Sequence, residues 1–290
     1  MKVFYSDKLV AVQGQQSFGG IQSPSARKPA ELAKALQGMD GIEFVEPLPV
    51  TIDDIKMCHD PRYVDGVMSL ELQNGFGTKD KAICDSLLYT NGAMVHAVVS
   101  AMPDSPTVAL VSGFHHAGYD RWDGLGWFCT FNGLMIAAAK LSRARVAIID
   151  CDMHWGNGTD DILAKKPELK ERVLHITFGR TFTRPPQAPD YLKWLNRNEF
   201  VEQSLKEFKP DVILYQAGAD VHVDDPYGGV LTTEQMIDRD RKMFTIAKEL
   251  RIPLAWNLAG GYQIEKNGSI QKVIDLHLNT FKACQEVYNA

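Results

Sequence analysis

The stretch Val146-Ala147-Ile148-Ile149-Asp150-Cys151-Asp152-Met153-His154-Trp155-Gly156-Asn157-Gly158-Thr159 reads in two halves. Val146 to Ile149 is an unbroken apolar run rich in β-branched residues, the pattern of a strand buried on both faces of a parallel sheet. The second half is polar, and its Gly-Asn-Gly is turn chemistry that lets the chain swing away from the sheet. Side chains alternate along an extended chain, so Asp150, Asp152 and His154 share one face if the extension continues. Two carboxylates and an imidazole at a strand end make a candidate site for a divalent metal.

The same sequence of events recurs along the chain. Apolar runs predict strands at Lys2–Tyr5, Glu43–Val45, Thr107–Val111, Arg145–Ile149, Arg172–Phe178, Asp211–Gln216 and Pro253–Leu258. Helical spacing fills the intervals at Ala26–Gln37, Leu87–Ala101, Phe131–Ser142, Asp160–Ala164, Glu199–Phe208, Thr232–Leu250 and Ile270–Val287. Thr232, followed by an early Glu234, is the clearest helix start. Such alternation predicts an α/β fold, a mostly parallel sheet with helices on both faces. With no repeat, low-complexity tract or long linker, residues 1–290 read as one domain.

Polar clusters follow four of the apolar runs. His115-His116 follows Val108–Val111, the metal motif follows Val146–Ile149, Gly218-Ala219-Asp220 follows Val212–Tyr215, and Gly260-Gly261-Tyr262 follows Leu254–Leu258. Ligands of open parallel sheets bind outside the carboxyl ends of the strands, so these four clusters are expected to meet in one crevice.

Composition narrows the function classes. With 45% hydrophobic and 23% charged residues, the chain has the make-up of a soluble globular protein. A net charge of −5 argues against a nucleic-acid surface, and no stretch is long and apolar enough to span a membrane. Cys58, Cys84, Cys129, Cys151 and Cys284 are odd in number and lack paired spacing, which fits reduced thiols. The residues from Met1 to Asp7 contain no long apolar segment of the signal-peptide kind, so a cytoplasmic location is expected. Oligomerisation is left open.

Asp152, His154 and Asp220 are the candidate metal ligands. One imidazole and two carboxylates leave positions for water and a substrate oxygen, as catalytic sites do. Zinc is the first expectation, and the oxygen-rich set also accepts iron(II). The plain alternative is a surface Asp–His pair with Asp220 capping a helix. Asp150, two residues before a ligand, can face His115 and accept its N–H, which would set its tautomer and charge. His115 and His116 cannot point the same way on an extended chain; a turn would bring both rings to one place. Tyr262 follows two glycines that permit close backbone approach, and its phenol could donate to a developing oxyanion.

These segments resemble those of the histone deacetylase superfamily of metal-dependent amidohydrolases. The matching residues are His59-Asp60-Pro61-Arg62-Tyr63, His115-His116, Phe128-Cys129-Thr130-Phe131-Asn132, the Asp150–Thr159 motif in the Gly-Asn-Gly form of the class II branch, Ala217-Gly218-Ala219-Asp220, Asp225-Pro226, Gly229-Val230-Leu231-Thr232 and Gly260-Gly261-Tyr262. The resemblance implies an arginase-like fold and a zinc ion on Asp152, His154 and Asp220. It makes His116 the general base and acid, His115 its electrostatic partner and Tyr262 the carbonyl-polarising donor. Asp150 would orient His115 and help to hold a structural potassium ion. Asn157 stands where some members have an aspartate facing the second histidine.

Departures from the pattern lie at the rim: Gln22-Ser23-Pro24 in place of a His-Pro, Trp155 where a second histidine is common, Trp127 in place of a glycine, and Gly179–Pro186 without the usual Phe-Pro-Gly segment. Of the aromatic residues near the motifs, Trp127, Phe128 and Phe182 are expected to wall a substrate tunnel, with Arg180 and Arg184 near its mouth. The implied activity is removal of acyl groups, above all acetyl, from amines such as acetyl-lysine side chains. The alternatives are a deacylase of small N-acyl amines such as acetylpolyamines, and a catalytically silent binding scaffold.

Overall fold

The computed structural model describes residues 1–10, 26–120, 129–181 and 200–290. All seven expected runs form strands: β1 (Lys2–Phe4), β2 (Glu43–Val45), β3 (Thr107–Ser112), β4 (Val146–Asp150), β5 (Val173–Thr177), β6 (Val212–Gly218) and β7 (Leu254–Ala259). They pair in parallel in the order β2-β1-β3-β7-β6-β4-β5. The four strands that carry the polar clusters, β3, β7, β6 and β4, are therefore consecutive neighbours. Register keeps their carboxyl ends level: Asp150 lies beside Gln216 and Gly218 beside Ala259.

Alternation along the central strands divides the apolar side chains between two cores. Val108, Leu110, Ile149, Ile213, Tyr215 and Trp256 face one core, which is closed by α1 (Lys28–Leu36), α10 (Thr233–Glu249) and α11 (Gln271–Asn289). Ala109, Val111, Val146, Ile148, Val212 and Leu214 face the other, beneath α3 (Pro61–Met68), α4 (Lys81–Ser100), α5 (Gly133–Lys140) and α6 (Asn157–Lys165). Among the described residues, the remaining α-helices are α2 (Ile52–Lys56), α7 (Pro167–Lys170), α8 (Phe178–Thr181) and α9 (Phe200–Phe208).

Several helix boundaries differ from the sequence expectation, for local reasons. The fourth helix starts at Lys81, where Asp80 accepts from the backbone N–H groups of Ala82 and Ile83, rather than at Leu87. The sixth starts at Asn157 rather than Asp160, so the Gly-Asn-Gly turn leads straight into helix. Thr232 does cap α10, but its reciprocal partner is Gln235 rather than Glu234. Helices α2 and α3 lie where no helix was expected; both are short and opened by caps, Thr51 and Asp60.

One buried polar group ties the helices to the site end of the sheet. Arg239 on α10 is fully buried; its guanidinium donates to the carbonyl of Gly218 at 2.6 Å and to Asp240 at 2.8 Å. Asp240 also accepts from the hydroxyls of Tyr215 on β6 and Thr280 on α11. Arg239→Ala is expected to cost about 3–5 kcal/mol in urea unfolding, because it strands a buried carboxylate.

Candidate metal and catalytic centre

The carboxyl ends of β4 and β6 bring Asp152, His154 and Asp220 together, with donor atoms within 4.8 Å of one another. His154 Nδ1 stands 3.1 Å from Asp152 Oδ1 and 2.8 Å from Asp220 Oδ2. Donors at about 2.0 Å from one tetrahedral ion stand about 3.3 Å apart, so the group fits such an ion. The two oxygens of Asp220 divide their work: Oδ1 accepts from the backbone N–H of Met153 at 3.0 Å, and the buried Oδ2 faces His154 Nδ1. Asp152 is buried, so it is not the surface carboxylate of the plain alternative, and Asp220 is buried with it.

Electrostatics at the group favour an added positive charge. Burial and repulsion from Asp152 push Asp220 up to about 7. Burial opposes ionisation of Asp152 too, but the charges of His115 and His154 hold it well below the usual carboxylate range. His154 resists its own burial and is drawn up to about 11 by Asp152 and Asp220.

His115 and His116 occupy the two corners of a tight turn after β3, closed by a bond from the Ala117 N–H to the Phe114 carbonyl at 3.1 Å. The turn places both rings on the site, with centroids 4.1 Å apart. His115 Nδ1 bonds Asp150 Oδ2 at 2.6 Å. Burial lowers its proton affinity, yet Asp150 and Asp152 outweigh that and raise it to about 9. His116 Nδ1 lies 2.7 Å from Asn157 Oδ1, which also accepts from the Gly158 N–H at 3.0 Å. Two donors on that oxygen put the His116 proton on Nδ1 and leave a lone pair on Nε2. Burial and the charge of His115 push His116 down to about 3. At neutral pH one histidine is charged and its neighbour is neutral.

Tyr262 reaches the site through Gly260 and Gly261, which adopt φ of +51° and +84°. A β-carbon at Gly260 would stand 2.4 Å from the Asp220 carboxylate, so only glycine permits this approach. Asp225 fixes the turn, accepting from the backbone N–H of Tyr262 at 2.7 Å and of Tyr227 at 2.9 Å. Burial and the Asp152 and Asp220 charges raise the Tyr262 phenol well above its ordinary value, so it remains an O–H donor.

The site also contains residues that the sequence did not mark. Lys28, at the start of α1, is fully buried; its ammonium donates to the Gly260 carbonyl and lies 6.0 Å from the centre of the Tyr262 ring. Burial lowers its pKa to about 8, and Asp220, Asp152 and Asp225 restrain the fall. Nothing in Arg27-Lys28-Pro29 distinguishes it from a solvated helix start. Asp150 has more partners than His115: Thr177 Oγ1 at 3.2 Å, Gln216 Nε2 at 2.9 Å and the Asp152 N–H at 3.1 Å. Asp225 was within reach of sequence reading, since it lies in a matched segment.

The rim is only partly described. Trp127, Phe128 and Phe182, the expected tunnel walls, and Arg184 lie outside the described residues. Phe114 is buried beneath α5. Trp155 is exposed and donates its indole N–H to Asp160 at 2.7 Å, and Arg180 pairs with the same carboxylate at 3.3 Å. Tyr227, exposed, stands edge-on to Tyr262 with ring centres 5.3 Å apart.

An all-parallel α/β sheet whose site lies at the carboxyl ends of four adjacent strands is the arginase-like arrangement. The chain belongs to the histone deacetylase domain family, which matches residues 24–183 and 183–279. It is 26% identical over 256 residues to Histone deacetylase 2 of Arabidopsis thaliana, covering 76% of this chain and 63% of that relative. Two solved structures share the fold: acetylpolyamine aminohydrolase from Burkholderia pseudomallei (TM-score 0.73, 18% identity, 99% of each chain) and the HDA15 HD domain (TM-score 0.75, 19% identity, 100% of this chain and 91% of that one). Among the described residues, no helix is long and apolar enough to cross a membrane.

Two outcomes test the site. Asp220→Ala is expected to reduce bound metal to well below one equivalent by elemental analysis, with the circular dichroism spectrum retained; near-stoichiometric metal would remove Asp220 from the ligand set. Asn157→Asp sets a carboxylate against His116 Nδ1, which favours the imidazolium and raises its pKa. If His116 is the general base, as the resemblance implies, its neutral form is then lost at higher pH, and the acid limb of the kcat/KM profile moves upward at equal metal occupancy.

Proposed function

We propose that the protein is a zinc-dependent amidohydrolase that removes acetyl groups from amines, with acetyl-lysine side chains as the leading substrate class and residues 1–290 as one catalytic domain. The observation that carries this reading is the meeting, at one sheet end, of a three-ligand group, a histidine pair with one ring on a carboxylate and the other on an amide, and Tyr262 after its two glycines. The names of the family and of the Arabidopsis thaliana relative support deacetylation, and the Burkholderia pseudomallei enzyme's name supports an acetylated amine as substrate. All five cysteines are buried and none forms a disulfide, which supports a reducing, cytoplasmic setting. A potassium ion near Asp150 belongs to the same proposal. Iron(II) is the alternative occupant of the ligand group.

Asp152, His154 and Asp220 would hold the zinc ion, which when bound supplies Lewis-acid polarisation of an amide carbonyl and of a water molecule. The chain's own groups do the rest. His116 Nε2 takes a proton from the attacking water, because Asn157 holds the other ring proton on Nδ1. His115, kept charged by Asp150, offsets the negative charge that gathers on the substrate oxygen and keeps His116 neutral. Tyr262 donates its O–H to that oxygen. The proton then on His116 passes to the leaving amine nitrogen as the C–N bond breaks. Each of the three groups is held by a named partner: His115 by Asp150, His116 by Asn157, and Tyr262, through its backbone N–H, by Asp225.

The test is a panel of acetyl-lysine peptides and acetylated diamines, assayed with the zinc-loaded protein. Turnover of peptides with higher kcat/KM is the expected result; preference for diamines would move the substrate to small amines. Metal binding without turnover of any amide would favour a silent scaffold. In the active protein, Tyr262→Phe should lower kcat by about 10²–10³ with zinc retained; an unchanged kcat would make Tyr262 a packing residue.

A further inference from the structure

The backbone leading into the histidine turn is unusual. Gly113 and Phe114 both have left-handed torsions, with φ of +96° and +95°. For glycine this is easy; for a bulky aromatic residue it is a true outlier that persists only where the surroundings impose it. Just before it, the pairing of β3 with β7 slips between Ala109 and Ser112, a local irregularity of the kind that re-aims side chains beside active sites.

The surroundings that impose it are visible. The Phe114 side chain is buried, 3% exposed, and runs beneath the first residue of α5. A β-carbon on Gly133 would fall 2.5 Å from Cε1 and Cζ of the ring, so the ring occupies the space that any other residue at 133 would need. On the other side, the Cys129 sulfur would stand 3.2 Å from a β-carbon at Gly113. Beyond the turn, the Thr159 N–H bonds the His115 carbonyl at 3.1 Å and Asn132 Nδ2 bonds the Ala117 carbonyl at 3.3 Å. Asn132 also caps α5, accepting from the Met135 N–H at 3.2 Å. The exit of the turn is therefore held by hydrogen bonds, and its entrance by one aromatic ring.

We infer that Phe114 is a positioning residue for His115 and His116: its ring, wedged against Gly133, holds the left-handed backbone from which the histidine turn departs. Without the ring the entrance can relax to ordinary torsions, and both imidazoles swing off Asp150 and Asn157. The role of the turn in catalysis rests on the amidohydrolase reading above; the geometry of the lock does not.

The test is a double-mutant cycle on the zinc-loaded protein. Phe114→Gly removes the ring at a position whose torsions glycine tolerates, and Gly133→Ala pushes the ring from the other side without deleting it. Each should lower kcat about 10–100-fold, the scale of a misplaced catalytic group, with KM within about twofold and zinc content unchanged. Gly133→Ala should cost nothing further in the Phe114→Gly background, since there is no ring left to displace. A readout independent of activity is the downfield proton resonance expected of His115 Nδ1–H in its short bond to Asp150. It should shift or vanish in both single variants. An unmoved resonance in the folded variants overturns the inference, as do losses that simply add in the double variant. If Phe114→Gly does not fold, the resonance and kcat of Gly133→Ala decide. If the wild-type protein hydrolyses no acylated amine, the functional reading fails, while the resonance still decides the role of Phe114.

Discussion

Four carboxylates, Asp150, Asp152, Asp220 and Asp225, lie buried at one end of the sheet, and the remaining polar groups of the centre are arranged around their charge. Unpaired, such charges could not stay there in ionised form. Each has specific partners: His115, Thr177 and Gln216 for Asp150, the histidines for Asp152, a backbone N–H and His154 for Asp220, and two backbone N–H groups for Asp225. Lys28 adds a buried positive charge where its ammonium donates to the Gly260 carbonyl. The donor atoms of Asp152, His154 and Asp220, all within 4.8 Å of one another, are the point at which this scheme calls for a cation.

The same charges divide the two histidines, which are chemically identical and adjacent in sequence. His115 meets a carboxylate and His116 an amide, so one holds a proton at neutral pH and the other offers a lone pair. The charged ring, with centroid 4.1 Å away, further lowers the proton affinity of its neighbour. The tight turn makes this division useful, since on an extended chain the rings would point to opposite faces.

Much of this was legible in the chain. Every expected strand is present, because runs such as Val146–Ile149 and Val212–Leu214 are buried on both faces and so carry an unbroken apolar signal. His115, His116, Asp152, His154, Asp220 and Tyr262 all lie just beyond strands, where the sequence put them. Less legible were Thr177 and Gln216, which look like ordinary residues at the ends of strands until pairing sets them beside Asp150. Lys28 gave no signal, because a basic residue at a helix start is normally solvated. Phe114 is, in the sequence, only an aromatic residue before the histidine pair; its backbone torsion and its packing on Gly133 depend on α5 standing above the loop.

By itself the sequence determined the class of fold, the positions of the strand ends and the types of chemical group gathered there, because hydrophobic period and turn residues are local properties. Only the tertiary structure decided that β3, β7, β6 and β4 are neighbours, that the histidines take different protonation states, and that a lysine and a strained phenylalanine complete the centre. Strand order and buried charge are set by contacts between residues far apart in the chain, and local periodicity carries no record of which strand end will lie beside which.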